Sequence, residues 1–260
     1  MPALIFDCDG VLADTEKDGH LPSFNKTFEE FGLPVRWSVE DYAIKLKIGG
    51  GKERLKSILT PDFISKANIS NDPEIQDQEI IKWHKFKTAY YTELVEKGVM
   101  PARPGIARII SQAYKEGWIL AVASTSHEKS VRAVLEHAVG KELSSKFTIF
   151  AGDIVPNKKP APDIYLFALN KLSLNPEEVI VIEDSSNGLK ASLAAGLKTV
   201  VTISSFTANE NFTGASLVVS SLGDVNGEKT KVLYNPENYE IIDEVKLSDL
   251  SQILKLTTTV

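Results

Sequence analysis

The chain has 260 residues, 43% of them hydrophobic and 25% charged, with a formal net charge of −6. That is enough apolar chain for one large domain or two modest ones, and the acidic balance argues against the basic stripe of a nucleic-acid or membrane-surface binder. No apolar run approaches the roughly 20 residues that span a bilayer, and the single cysteine, Cys8, excludes an internal disulfide.

The first expected element is a strand over Ala3–Phe6, a short apolar run that ends in Asp7-Cys8-Asp9-Gly10. In a strand, residues i and i+2 share a face. Where the strand opens into a loop at Gly10, both carboxylates converge on one small volume. Like charges that close repel unless a cation or a proton lies between them. The pair therefore points to a hard-metal site, and Mg²⁺ favours a few carboxylates plus substrate phosphate. One carboxylate can attack phosphorus while the other handles protons. Taken alone, the same residues also fit a solvated turn at a strand end. Cys8 sits between two acids, which raises its thiol pKa and disfavours a thiolate nucleophile; it reads as a small buried strand residue. No leader is read ahead of the strand, so a cytoplasmic chain or a mature organellar one is expected.

From Thr15 to about Arg103 no buried strand is legible. Amphipathic helical stretches take its place, including Gly19–Phe31, Lys52–Ile58 and Pro73–Lys97. This region reads as a helical insert, joined through Lys17-Asp18-Gly19 and Gly98–Gly105; two connections permit a hinge, and a hinge suits a lid over an active site. The expected division is a discontinuous α/β core of residues 1–15 and 103–260, with a helical domain of residues 16–102. Within the insert, Gly49-Gly50-Gly51-Lys52-Glu53-Arg54 combines flexible glycines with two cations at a helix start. Cations there oppose the helix dipole, so an anion held by backbone N–H groups, Lys52 and Arg54 would explain them. An ordinary loop with a solvated helix start is the alternative. His84, Lys85, Lys87 and Thr88 line the same surface or, more ordinarily, form the wet face of the Pro73–Lys97 helix.

Beyond the insert, strands and helices alternate. A helix over Ile106–Glu116 precedes a strand over Ile119–Ala123, which ends in Ser124-Thr125-Ser126. A helix over His127–His137 leads to a strand over Thr148–Ala151, and Lys158-Lys159-Pro160 precedes a helix over Ile164–Lys171. A strand over Val179–Ile182 ends in Glu183-Asp184-Ser185, followed by a helix over Asn187–Ala195 and a strand over Thr199–Ile203. This alternation predicts an α/β fold with a parallel sheet and helices on both faces. After Gly223, Val225–Asn238 is polar and turn-rich, and Ile241–Leu256 is expected to form one helix on the sheet.

Ligands of open α/β sheets bind beyond the carboxyl ends of the strands. Asp7, Asp9, Ser124, Lys159, Glu183 and Asp184 all fall at that rim. Asp7, Asp9 and Asp184 offer oxygens to a hard cation. Ser124 and the backbone N–H groups after it can bind phosphate, and Lys159 can neutralise developing phosphoryl charge, on a loop stiffened by Pro160 and Pro162. Singly, these residues also fit an N-cap, a solvated lysine pair and acids placed for a helix dipole.

Together they resemble the haloacid-dehalogenase-like (HAD) phosphohydrolase superfamily. Its four motifs appear in order: Asp7-x-Asp9-Gly10, Ser124, Lys159 before Pro160, and Glu183-Asp184-Ser185 with Asn187-Gly188-Leu189. The resemblance covers nearly all of residues 3–222. It implies a HAD-like Rossmannoid core with an inserted α-helical cap, and a two-step mechanism in which Asp7 forms an aspartyl-phosphate. Asp9 would protonate the leaving oxygen and then activate water. Mg²⁺ would bind Asp7, the backbone carbonyl of Asp9 and Asp184, with Glu183 nearby. An aspartate at position 9 marks phosphotransfer in this superfamily and disfavours dehalogenation.

The string from Ile48 to Arg54, that from Ala151 to Tyr165, and Asp14-Thr15-Glu16 are similar to the CbbY-type phosphatases. That resemblance implies removal of a phosphate from xylulose 1,5-bisphosphate, an inhibitory by-product of Rubisco, to give xylulose 5-phosphate. The core would hold the reacting phosphate; Lys52, Arg54 and the cap would hold the distal one, with Glu16 on substrate hydroxyls, and Asp7, Gly50, Gly51, Glu53, Ser124, Thr125, Ser126 and Lys159 complete the implied substrate-binding set. A β-phosphoglucomutase is the nearest alternative, although His20 lies one residue farther from Asp9 than the mutase histidine and reads as a plain helix-start residue. A broad sugar-phosphate or phosphoglycolate phosphatase is another. A non-catalytic binding protein is disfavoured because every catalytic position is filled. The expectation is a monomer acting on a small phosphorylated sugar, with no nucleic-acid or membrane partner, in the plastid stroma or the bacterial cytoplasm.

Overall fold

The structure is a computed structural model that describes residues 1–48 and 50–255; Gly49 of the glycine run and Leu256, the expected end of the last helix, lie outside the described residues. The chain divides into two compact units, Met1–Asp14 with Met100–Val260, and Thr15–Val99. Thr15 thus goes with the helical unit, and residues 100–102 go with the sheet unit.

In the sheet unit, the described residues form a seven-stranded sheet in the order β3-β2-β1-β4-β5-β6-β7. Its strands are β1 (Ala3–Phe6), β2 (Ile119–Ser124), β3 (Thr148–Ala151), β4 (Val179–Glu183), β5 (Lys198–Thr202), β6 (Leu217–Val219) and β7 (Val232–Tyr234). β1 through β6 pair in parallel, and β7 is antiparallel to β6. The five strands legible in the sequence are all present. Each central strand is buried along its length, as strands covered on both faces require. The chain leaves β1 toward β2 and β3, then crosses to β4 on the other side. β1 and β4 therefore flank a topological switch point, whose crevice opens at their carboxyl ends.

The long helices of this unit bury one stripe each. In α6 (Ile106–Lys115) the buried residues are Ile106, Ile109, Ile110 and Ala113, at spacings of three and four. α7 (Glu128–Ser144), α8 (Asp163–Leu172) and α9 (Ser186–Ala194) follow β2, β3 and β4. β6 is a buried strand beyond the five expected, and two other features depart from expectation. β7 lies inside the stretch read as turns; all three of its residues are exposed, so no buried alternation marks it. The last helix, α10 (Leu247–Lys255), starts later than Ile241. Asp243 has a left-handed φ of 59°, and Val245 N–H donates to Leu222 O at 2.8 Å, so the preceding residues are tied to the segment between β6 and β7 instead of coiling.

The helical unit begins with a π-helical turn, Glu16–His20, running into α1 (Leu21–Glu30). α2 (Val39–Lys45), α3 (Gly51–Lys56), α4 (Pro61–Lys66) and α5 (Pro73–Glu96) complete it. Ser38, Thr60 and Asp72 cap α2, α4 and α5, and proline opens the last two. Phe24, Phe28, Trp37, Tyr42 and Trp83 form its buried aromatic core, with Trp37 edge-on to Phe28 at 4.9 Å between ring centroids. No helix among the described residues is long and apolar enough to cross a membrane.

Candidate active site

Asp7 continues the ladder of β1, its N–H donating to Ile182 O at 2.9 Å. The chain then turns at Gly10, whose φ of 79° suits glycine and whose N–H donates to Ala13 O at 2.9 Å. Across the switch point, Lys159 Nζ donates to Asp7 Oδ1 at 2.7 Å, to Glu183 Oε1 at 2.7 Å and to Ala123 O at 2.9 Å. Those three bonds use its three ammonium donors. Glu183 is fully buried. Its Oε1 also accepts from Tyr165 Oη, and its Oε2 accepts from Asp184 N–H at 3.1 Å.

Asp7, Glu183 and Asp184 each offer one carboxylate oxygen, all within 4.8 Å of one another. Burial pushes the Asp7 carboxyl up to about 7; Lys159 opposes that shift, while Glu183 and Asp9 add to it. Burial, with Glu183 and Asp7 beside it, likewise raises Asp184 well above the carboxylate range, against a hydrogen bond from Ser204 and the charge of Arg103. Asp7 and Glu183 share the Lys159 ammonium, and a cation among the three clustered acids would relieve their mutual repulsion. An all-oxygen donor set fits Mg²⁺. Two glycines make room for the acids: a Cβ on Gly10 would lie 2.0 Å from Asp184 Oδ2, and one on Gly188 would lie 2.0 Å from the Glu183 carboxyl carbon.

Ser126 donates its hydroxyl to Asp9 Oδ2. The three clustered acids do not include the Asp9 carboxylate. Ser124 is buried, and its Oγ accepts from Ser126 N–H at 3.1 Å. Thr125 is exposed. The N-cap of α7 is His127, not one of these hydroxyl residues. Cys8 is buried, and its thiol is pushed well up by burial and by Asp9 and Asp7.

In the helical unit, Glu16 and Arg54 come together. Arg54 Nη1 lies 3.6 Å from Glu16 Oε2. Gly50 has a φ of 93°, and a Cβ there would meet Glu53 Oε2 at 2.0 Å; one on Gly51 would meet His84 Nε2 at 2.9 Å. Both glycines thus serve close packing within the unit. Lys52 and Glu53 are exposed at the start of α3, and Lys85 and Thr88 are exposed on α5. Lys87 is buried and donates to His20 Nδ1 at 2.7 Å. His20 stands where the π turn runs into α1, as expected of a helix-start residue, and its ring also stacks on Tyr91 at 4.0 Å. Burial, then Lys87, Arg54 and His84, hold its imidazole well below its ordinary range.

Four residues of these networks carry no sequence signal of their own. Tyr165 and Tyr42 look like ordinary apolar positions of helices. Ser204 follows a strand without a motif. Arg103 donates to the backbone carbonyls of Gly10, Thr202, Ile203 and Ser220, fastening the turn after β1 to the ends of β5 and β6. A lone arginine ahead of Pro104-Gly105 is its only trace in the sequence.

The geometry has counterparts among known proteins. The chain is 46% identical over 228 residues to the CBBY-like protein of Arabidopsis thaliana, covering 87% of this chain and 71% of that one. It is 42% identical over 228 residues to the plasmid-encoded protein CbbY of Cupriavidus necator, covering 86% and 87%. The crystal structure of CbbY from Rhodobacter sphaeroides in complex with phosphate superposes with a TM-score of 0.71 at 37% identity, covering 85% of this chain and 95% of that one. A mutant of that protein in complex with xylulose-(1,5)bisphosphate matches with the same TM-score, 0.71. The family model for haloacid dehalogenase-like hydrolase matches residues 4–202. That span runs from within β1 to the last residue of β5, taking in Asp7, Lys159 and Asp184, and the chain belongs to the haloacid dehalogenase-like hydrolases.

Proposed function

We propose that this chain is a Mg²⁺-dependent sugar-phosphate phosphatase that works through an aspartyl-phosphate on Asp7, and that its substrate is xylulose 1,5-bisphosphate. The observation that carries the chemistry is the Asp7 carboxylate at the end of β1, 2.7 Å from Lys159 and clustered with Glu183 and Asp184. The substrate is inferred from the relatives named CbbY and from the CbbY complex with that bisphosphate.

In the first step an Asp7 carboxylate oxygen bonds to phosphorus as the phosphorus–oxygen bond to the sugar breaks, and Asp9 gives the departing oxygen its proton. In the second step Asp9 takes a proton from water, whose oxygen attacks phosphorus. The bond to Asp7 then breaks and inorganic phosphate leaves. The Ser126 hydroxyl orients Asp9. Lys159 and the Ser124–Ser126 segment stabilise the phosphoryl oxygens, where fixed donors cost no reorganisation during reaction. Glu183 and Tyr165 aim the Lys159 ammonium. Asp7, Asp184 and the backbone carbonyl of Asp9 would hold Mg²⁺, which when bound neutralises phosphoryl charge. In the helical unit, read as the family's cap, Glu16 would take sugar hydroxyls, and Lys52 and Arg54 would take the second phosphate. Hydrolysis to xylulose 5-phosphate would remove a Rubisco inhibitor, a role suited to a plastid or to a carbon-fixing bacterium.

The test is phosphate release, with and without Mg²⁺, from xylulose 1,5-bisphosphate, ribulose 1,5-bisphosphate, β-glucose 1-phosphate and phosphoglycolate. A clear kcat/KM preference for the xylulose ester, lost with EDTA and in Asp7→Asn, is expected. Comparable rates on all four would overturn the substrate, and turnover by Asp7→Asn would overturn the nucleophile.

A further inference from the structure

We propose that Tyr42 is a positioning residue for substrate binding: its hydroxyl, bonded to both the Glu16 carboxylate and the Arg54 guanidinium, keeps their ion pair from closing to hydrogen-bond distance and leaves both available to the sugar phosphate. The role rests on the assignment of Glu16 and Arg54 as substrate contacts made above.

An arginine and a carboxylate left to themselves close to about 2.7–2.9 Å, often through two parallel bonds. Here the pair stands at 3.6 Å. Tyr42 Oη donates to Glu16 Oε2 at 2.5 Å and accepts from Arg54 Nη1 at 3.0 Å, so one hydroxyl serves both charges. Arg54 has a second anchor, its Nε donating to Ile48 O at 3.0 Å. The hydroxyl is placed by the core and not by the charges it meets. Tyr42 is 0% exposed, and its ring packs with centroids 5.8 Å from Phe24 and 5.8 Å from Trp37. The guanidinium carbon lies 5.7 Å from the same ring. Burial, and then the Glu16 charge, raise the phenol far above its ordinary range, so it remains a proton donor to Glu16 at working pH.

Phenylalanine would fill the same core space, so only a role for the oxygen distinguishes Tyr42→Phe from the parent. Without the hydroxyl, Glu16 and Arg54 close on each other and turn from the substrate. The experiment compares kcat and KM of wild type and Tyr42→Phe on a sugar bisphosphate, a sugar monophosphate and p-nitrophenyl phosphate, with melting temperatures alongside. Expected is a KM increase of about tenfold for the bisphosphate and a smaller one for the monophosphate, with kcat/KM on p-nitrophenyl phosphate within about twofold of wild type. Equal losses on all three substrates, or an unchanged bisphosphate KM, would overturn the role. In the background of Arg54→Lys, which has no planar fork to close on Glu16, the penalty of Tyr42→Phe should shrink; additive penalties would also overturn it. A wild type without bisphosphate preference would sink the substrate assignment instead. The KM for the sugar monophosphate, set against p-nitrophenyl phosphate, would still decide Tyr42.

Discussion

A Cβ on Gly10 would lie 2.0 Å from Oδ2 of Asp184. The turn that ends β1 passes directly against the acid at the end of β4, and two of the four sequence motifs meet there as backbone against carboxylate. Gly10→Ala therefore does two things. It imposes a left-handed conformation that costs an L-residue about 1–2 kcal/mol, and it displaces Asp184. If Asp184 holds Mg²⁺ as proposed, the expected outcome is a lower melting temperature and a Mg²⁺ half-saturation for activity raised about tenfold or more. Thermal shift titrated with Mg²⁺ checks it without reference to turnover, and an unaltered titration would contradict the placement of Asp184.

Lys159→Met removes an ammonium that lies 2.7 Å from both Asp7 and Glu183. Breaking a buried pair from one side typically costs about 3–5 kcal/mol. Asp7 already sits at about 7 with the lysine present, and without it the carboxyl rises further, so protonation relieves part of the cost once pH falls below that higher value. The variant should lose about 10²–10³ in kcat, and its stability deficit should narrow as pH falls from about 9 to about 7, where its carboxyl takes a proton that the wild-type Asp7 does not yet hold. Denaturant melts at the two pH values check the second point; a deficit independent of pH would mean that Lys159 does not balance these acids.

The sequence carries those parts of the molecule whose signals are local. Val179-Ile180-Val181-Ile182 can hardly be anything but a doubly covered strand, and Asp7, Asp9, Ser124, Lys159, Glu183 and Asp184 are legible because an α/β site must use the residues that end its strands. Partnership is not local. Nothing at Tyr165 says that it will share Glu183 with Lys159, and nothing at Tyr42 says that its ring will be buried while its hydroxyl meets Glu16 and Arg54. The glycines at 50 and 51 read as a flexible anion loop, and nothing local says that a Cβ there would meet Glu53 and His84. β7 was illegible for a different reason. An exposed edge strand of three residues has no buried face to impose a period on the sequence.

Lys52 is exposed at the start of α3, where its charge opposes the helix dipole. If it serves the second phosphate of a bisphosphate, Lys52→Ala removes binding that is equal in ground and transition states, which raises KM and leaves kcat. An exposed charge contact of this kind is worth about 1 kcal/mol, or roughly a fivefold rise in KM. The rise should appear with bisphosphates and not with monophosphates. Steady-state kinetics on a matched pair of sugars checks it, and equal effects on both would remove Lys52 from the distal site.

His20 makes the stability of the helical unit depend on pH. In the folded chain its imidazole is held well below the ordinary value of 6.5, first by burial and then by the charges of Lys87, Arg54 and His84. It is neutral there, accepting from Lys87 at Nδ1. In the unfolded chain it takes a proton as pH falls through 6.5. Below that value the unfolded state binds a proton that the folded state refuses, so stability is complete above pH 6.5 and is lost as pH falls. One such group gives a slope of at most about 1.4 kcal/mol per pH unit. His20→Gln keeps an acceptor for Lys87 but has no proton to gain. Urea unfolding of both proteins at pH 7, 6 and 5 should therefore show the wild type losing stability more steeply. The titrations of Asp7 and Asp184 are common to both proteins and cancel in the difference. Parallel curves would mean that His20 is charged in the folded state, which its contact with the Lys87 ammonium opposes.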